Sequence, residues 1–149
     1  GVADAGMAER VAKVLAAGGA RRALVVHGGD GLDELTTTTT STAFELRDGT
    51  VHATEVDATA FGLARAKPED LRGGDPGENA AIARRVLAGE HGPHRDVVVL
   101  NAAAGLVVAG EAVDLAAGVV AAAGVIDDGR AAAALARAIE ASQRGRQAT

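Results

Sequence analysis

The stretch ALVVHGGDGLDELTTTTTS, residues 23–41, contains the pattern that decides the fold. Its aliphatic start, residues 23–27, is short and bounded by glycine, which predicts a buried β-strand. A helical pattern precedes it directly, and a helix followed closely by a strand is half of an α/β unit. The loop after this strand carries three acids within five residues and then five consecutive threonines.

The three acids of this loop are Asp30, Asp33 and Glu34, at the carboxyl end of the strand, where open α/β sheets bind ligands. Packed together, three carboxylates repel one another unless a cation or hydrogen-bond donors compensate. Mg²⁺ suits the pattern, because it takes one or two protein carboxylates and completes its shell with water and phosphate oxygens. The loop therefore predicts a magnesium site. The alternative is an ordinary surface turn, for which Asp-Gly and Gly-Leu-Asp are usual material.

Three other polar features of the sequence have simpler structural interpretations. The threonines at 36–40 favour a β-prone edge strand, with one or two hydroxyls facing a site. His27, at the end of the strand, is interpreted as a structural hydrogen-bonding residue. Asn101 lies inside an apolar run, and we expect it to be a satisfied core amide that ties helices together.

Working outward from the strand, the preceding segment, residues 4–15, is predicted to be a helix capped by Asp4. Its apolar stripe comprises Met7, Val11, Val14 and Leu15. After the acidic loop, FELRDGTVHA predicts a hairpin, because Asp48-Gly49 suits a two-residue type I′ turn.

The rest of the chain is predicted to be helical. DPGENAAIARRVLAG begins with a capping box of Asp75 and Glu78. RDVVVLNAAAGLVVAG could contain a strand, but its length favours a buried helix. Further helices follow, one ending near Gly129 and one over residues 131–142, before a tail at 145–149 that we expect to be frayed. The pattern predicts an α/β fold: one segment, residues 1–144, with a mixed sheet, a β-hairpin and packed helices.

Composition limits the class of protein. The chain has 149 residues, 48% of them hydrophobic, which is enough for one domain with a real core. It has no cysteine, so disulfides and thiolate metal sites are excluded. The formal net charge of −5 disfavours nucleic acid as a partner. No apolar run is long enough to span a membrane and no signal peptide is recognisable, so we expect a cytoplasmic protein that does not bind membranes.

Three motifs in a fixed order together resemble the anthranilate phosphoribosyltransferase family. They are HGGDGLDE at 27–34, LRGGDPGEN at 71–79 and RDVVVLNAA at 95–103. Each motif alone is a weak signal, but their order is specific, and the threonine run resembles the actinobacterial version of the family. The resemblance covers nearly all of the chain and corresponds to the C-terminal part of the family's α/β domain, which is of the nucleoside phosphorylase/phosphoribosyltransferase type.

The resemblance implies an activity and a site. Members of the family transfer phosphoribose from phosphoribosyl pyrophosphate to the amine of anthranilate in tryptophan biosynthesis, and they usually work as homodimers. The adjacent acids of the GLDE motif hold Mg²⁺ in the family, which assigns Asp33 and Glu34 as metal ligands here. The family's glycine-rich GTGGD loop, its anthranilate-binding asparagine and arginine, and its helical domain have no counterpart in this chain. We therefore expect the isolated chain to be inactive, because an N-terminal half is missing.

Two other functions stay open at this point. A nucleoside phosphorylase-like enzyme would share the fold, but phosphorolysis has no pyrophosphate leaving group for the GLDE acids to bind through a metal. A non-catalytic relative that binds nucleic acid or another partner is the second alternative. The acidic balance and the lack of a basic stripe disfavour nucleic-acid binding.

Overall fold

The structure is a computed structural model that describes the backbone of residues 1–147 and the side chains of residues 1–144. The elements, in chain order, are α1 (Ala5–Ala17), β1 (Arg22–Gly28), β2 (Ser41–Arg47), β3 (Thr50–Val56), two 3₁₀ turns (Ala58–Phe61 and Pro68–Leu71), α2 (Pro76–Leu87), α3 (Pro93–Ala109), α4 (Leu115–Asp127) and α5 (Arg130–Gln147). The predicted α/β class, with a hairpin and packed helices, is confirmed.

The sheet has three strands in the order β1-β2-β3. Its β2–β3 hairpin turns at Asp48 and Gly49, whose φ angles of 51° and 77° are those of the predicted type I′ turn. Asp48 is a residue type that tolerates this left-handed region, and Gly49 meets no Cβ penalty there. Both pairings that the structure describes are antiparallel, where the sequence led us to expect a mixed sheet.

Helix α1 covers one face of the sheet. Asp4 caps it as predicted, because its Oδ1 accepts a hydrogen bond from the Met7 amide at 2.9 Å. The predicted apolar stripe is only partly right: Val11 packs against the sheet, but the buried residues of α1 are Ala8 and Ala12, which pack with Val25 of β1. The larger apolar residues of that stripe stay partly exposed: Met7, Val14 and Leu15. Small alanines let the helix lie close to the strands, and this close packing stabilises the contact more than burial of the larger apolar side chains would.

The main core lies on the other face of the sheet, between the strands and helices α3 and α4. The run at 95–109 is helical, so the choice of a buried helix over a strand is confirmed. Leu100 of α3 and Val119 of α4 are buried together with Val26 of β1. The two helices approach closely where Gly118 meets α3, since a Cβ at that position would lie 2.9 Å from the carbonyl oxygen of Ala103.

The remaining predicted helices are also present. Asp75 and Glu78 form the predicted capping box at the start of α2, each side chain accepting a backbone hydrogen bond of 2.9 Å. Helix α5 extends to Gln147, residues 148 and 149 lie outside the described residues, and the frayed tail at 145–149 stays a prediction. None of the described helices is both long and apolar enough to cross a membrane.

Candidate functional site

The acidic loop folds back sharply after β1. The Gly28 amide donates to the Leu32 carbonyl at 2.8 Å, and the Gly31 amide donates to the Gly28 carbonyl at 2.9 Å. Gly31 has a φ of 94°, a value that favours glycine. Gly28 also has little room for a side chain, because a Cβ there would lie 2.6 Å from Oδ1 of Asp30 and 3.1 Å from the carbonyl oxygen of Glu34. The glycines of this stretch therefore serve the turn geometry itself.

Asp30 is engaged by the threonine run. Its Oδ2 accepts hydrogen bonds from the hydroxyls of Thr36, at 2.7 Å, and Thr38, at 2.5 Å, while its Oδ1 accepts a longer bond of 3.2 Å from the Leu32 amide. Partial burial by itself raises the pKa of Asp30, but the hydrogen bonds from Thr36 and Thr38 outweigh it and hold the pKa below its ordinary value. Asp30 is thus an acid whose charge is compensated by the hydroxyls of the threonine run.

The prediction that residues 36–40 form an edge strand is wrong. They form an irregular segment, and β2 begins only at Ser41. Thr36 and Thr37 are fully buried, and the Thr36 amide donates to Oγ of Ser41 at 3.0 Å. The β-propensity of threonine is overridden because the hydroxyls bond to Asp30 and the segment packs inward. The Thr37 hydroxyl is buried and has no hydrogen-bond partner among the described residues.

Asp33 and Glu34 are exposed like Asp30, but they differ from it because their side chains make no hydrogen bond that the structure describes. The backbone beside them is crowded, since a Cβ on Gly1 would collide with the Asp33 carbonyl oxygen. Partial burial is the main cause that raises the pKa of Glu34 above its ordinary value, and the negative charges of Asp33 and Asp30 raise it further. A bound cation would relieve this repulsion.

The acidic pair offers a donor set that suits Mg²⁺. In the part of the chain that the structure describes, no three His, Cys, Asp or Glu side chains come close enough to enclose a metal ion. The family resemblance assigns Asp33 and Glu34 as the metal ligands, and neither carboxylate makes a hydrogen bond that the structure describes, whereas Asp30 accepts two from threonine hydroxyls. Two carboxylates fit Mg²⁺, which keeps several waters and binds substrate phosphates, and they do not fit an ion that needs an all-protein cage.

Two cavities adjoin Glu34. One, of about 350 Å³, has Asp30, Glu34, Thr38, Arg72 and Val97 among its lining residues. The second, of about 400 Å³, has a mainly apolar wall contributed by α2 and α3. The first cavity brings Arg72 close to the acidic loop, a proximity that no spacing in the sequence indicates.

The other polar residues singled out from the sequence have structural partners. His27 lies with Nδ1 3.0 Å from the Val2 carbonyl oxygen, in agreement with its structural interpretation. Asn101 is a satisfied amide as expected, but it ties α3 to the acidic loop rather than to another helix. Its partner is Leu35, the residue directly after the acidic pair, and no spacing in the sequence indicates this contact.

Comparison with known proteins places this site in a family context. The family described as "Glycosyl transferase family, a/b domain" matches residues 1–132. An anthranilate phosphoribosyltransferase of Methylobacterium nodulans is 50% identical over 142 residues, which are 95% of this chain and 42% of that protein. The chain therefore spans about two fifths of the length of this relative.

Solved structures agree with this comparison. The crystal structure of anthranilate phosphoribosyltransferase from Thermus thermophilus superposes with a TM-score of 0.83 at 41% identity, over 92% of this chain and 40% of that one. The Saccharomyces cerevisiae enzyme, solved in complex with PRPP and Mg, has a TM-score of 0.81 at 24% identity, over 91% of this chain and 39% of its own. The yeast likeness shows a shared fold.

Proposed function

Because this chain belongs to the glycosyl transferase family with the a/b domain, we propose that it is the C-terminal part of an anthranilate phosphoribosyltransferase. The reaction is the transfer of phosphoribose from phosphoribosyl pyrophosphate to the amine of anthranilate, a step of tryptophan biosynthesis in the cytoplasm. The observation that carries the proposal is the 50% identity to an enzyme of that name over 95% of this chain.

In this proposal Asp33 and Glu34 are the ligands of a Mg²⁺ ion. Both carboxylates are exposed in the loop between β1 and β2, and the raised pKa of Glu34 reflects partial burial together with repulsion from its acidic neighbours. Magnesium held there would neutralise negative charge on the departing pyrophosphate. The two carboxylates suffice for this role, because substrate oxygens and water complete the coordination of the ion.

The residues around the acidic pair shape its surroundings. Asp30 and its threonine donors stiffen the start of the loop. Arg72, on the wall of the cavity that Glu34 lines, offers a positive charge for a phosphate group of the substrate. No protein nucleophile enters the proposal, because phosphoribosyl transfer proceeds by departure of pyrophosphate and attack of the anthranilate amine.

The activity of the whole enzyme depends on partners of this chain. The pyrophosphate-cradling GTGGD loop and the anthranilate-binding residues of the family have no counterpart in residues 1–149. We propose that an N-terminal half supplies them and that the complete enzyme is a homodimer. Positioning of reactants can supply roughly 7–11 kcal/mol of a reaction barrier, so the isolated chain is expected to be inactive.

A chimera tests the function directly. This chain would replace the matching segment of the Methylobacterium nodulans relative, and loss of anthranilate fluorescence would be followed with phosphoribosyl pyrophosphate and Mg²⁺. We expect turnover by the chimera and none by the isolated chain of 149 residues. A folded but inactive chimera would contradict the proposed function, and turnover by the isolated chain would show that the site lies wholly within it.

The same proteins test the two alternatives. Inorganic phosphate with a pyrimidine nucleoside should give no free base, because the acidic pair would have no pyrophosphate to bind. A salt-dependent mobility-shift assay with single-stranded DNA should show no complex, given the net charge of −5.

A further inference from the structure

Asn101 holds both backbone groups of a single residue in the acidic loop. Its Oδ1 accepts a hydrogen bond from the Leu35 amide at 2.9 Å, and its Nδ2 donates to the Leu35 carbonyl at 2.8 Å. Nδ2 also donates to the Val97 carbonyl at 2.9 Å, one turn earlier in α3. All three hydrogen bonds join a helix side chain to main chain, and the first two span 66 positions of sequence.

This contact lies immediately beside the acidic pair. Leu35 follows Glu34 directly, and its side chain is fully buried. On the other side of the pair, the Leu32 carbonyl accepts a hydrogen bond from the Gly28 amide at the end of β1. Asp33 and Glu34 are therefore held between two anchored residues, one attached to the sheet and the other attached to α3.

We propose that Asn101 is a positioning residue for the metal site, which directs the carboxylates of Asp33 and Glu34 towards one divalent cation by clamping Leu35. The inference rests on the proposed function of the pair. Mg²⁺ demands nearly ideal octahedral geometry, so two ligands on a loop bind it well only if the backbone is fixed beforehand. An asparagine suits this task, because its amide presents an acceptor to the backbone N–H and a donor to the backbone C=O of one residue.

The chain itself, labelled with ¹⁵N, provides the test. Mn²⁺ is added as a paramagnetic probe, and broadening of backbone amide signals reports where it binds and how tightly. In the unaltered chain we expect broadening centred on Asp33 and Glu34. Groups that orient metal ligands typically contribute about 10–100-fold in affinity, so Asn101→Leu should weaken Mn²⁺ binding about tenfold or more. Without metal, the Leu35 amide should exchange faster in this variant.

A variant of the same helix separates positioning from stability. Val99 is buried in the main core and its side chain makes no hydrogen bond to the loop, so Val99→Ala should lower the melting temperature while Mn²⁺ affinity stays unchanged. Asn101→Gln keeps the amide but moves it by one methylene, and it should also weaken Mn²⁺ binding if Asn101→Leu does not fold.

The possible outcomes distinguish the inference from the function on which it rests. Unchanged Mn²⁺ affinity in the folded Asn101 variants would overturn the positioning role alone. An equal loss in Val99→Ala would also overturn it, because the effect would then follow general stability. Absence of broadening at Asp33 and Glu34 in the unaltered chain would overturn the metal assignment itself, and the inference with it.

Discussion

Replacing Asp30 with asparagine is expected to destabilise the fold by removing the charge that the threonine run binds. Asp30→Asn preserves size, and its carbonyl oxygen can take the place of Oδ2, where it accepts from the hydroxyls of Thr36 and Thr38 as a neutral group rather than a charged one. Its NH₂ group then faces the Leu32 amide, so the 3.2 Å hydrogen bond to Oδ1 is lost. The variant therefore changes charge and one hydrogen bond while leaving the backbone of the loop intact.

The size of this effect follows from the geometry of Asp30. A hydrogen bond to a charged group contributes about 1.5–3 kcal/mol to stability. The Asp30 side chain is exposed, so solvent screening reduces this value, and we expect a loss of about 1–2 kcal/mol. For a chain of this length, each kcal/mol shifts the melting temperature by about 2–4 °C, so the expected decrease is about 2–8 °C near neutral pH.

The pH dependence identifies the carboxylate as the cause. The pKa of Asp30 is lowered in the folded chain, so its contribution to stability is present above the ordinary aspartate pKa of about 3.9. That contribution is lost as the pH falls through the lowered, folded-state pKa. The difference in melting temperature between the unaltered chain and Asp30→Asn should therefore be constant near neutral pH and shrink in acid.

Thermal unfolding followed by circular dichroism at a series of pH values measures this difference. Asp33→Asn is the matched control, because it removes a charge from the same loop. The Asp33 side chain makes no hydrogen bond that the structure describes. It should leave the melting temperature nearly unchanged. An Asp30→Asn variant as stable as the unaltered chain at neutral pH, or a deficit undiminished in acid, would refute the reasoning.

Three further predictions concern the metal, the hairpin and the helix contact. In the chimeric enzyme, Asp33→Asn with Glu34→Gln should raise the barrier by roughly 2.7–4 kcal/mol and increase the Mg²⁺ requirement; near-normal steady-state turnover at low Mg²⁺ would exclude the metal assignment. Gly49→Val should lower the free energy of unfolding, measured in urea, by about 1 kcal/mol or more, because valine resists the φ of 77° at this position. No atom lies within 4 Å of the new Cβ, so an unchanged free energy of unfolding would mean that the turn is not strained. Gly118→Leu should lower the free energy of unfolding by about 1–3 kcal/mol, because the new side chain overpacks against α3. Gly124→Leu should not, because no atom lies within 4 Å of its Cβ position. Equal unfolding midpoints for the two variants would contradict the close contact.

The sequence by itself determined the features that depend on neighbouring residues. The Asp75 capping box and the Asp48-Gly49 turn form as predicted, because each is fixed by bonds or φ values within a few residues. The helical nature of the apolar run in α3 was likewise predictable from its length. The acidic loop was identified from its place after a buried strand, the family resemblance singled out Asp33 and Glu34 within it, and their role as metal ligands stays a prediction.

Only the tertiary structure decided which groups those local elements meet. The buried face of α1 consists of alanines, because closeness to the sheet matters more there than the size of the apolar side chains. The threonine run is not a strand, because the carboxylate of Asp30 binds its hydroxyls across the loop. The link from Asn101 to Leu35 joins residues 66 positions apart, and such a contact depends on how α3 packs beside β1, which no local pattern encodes.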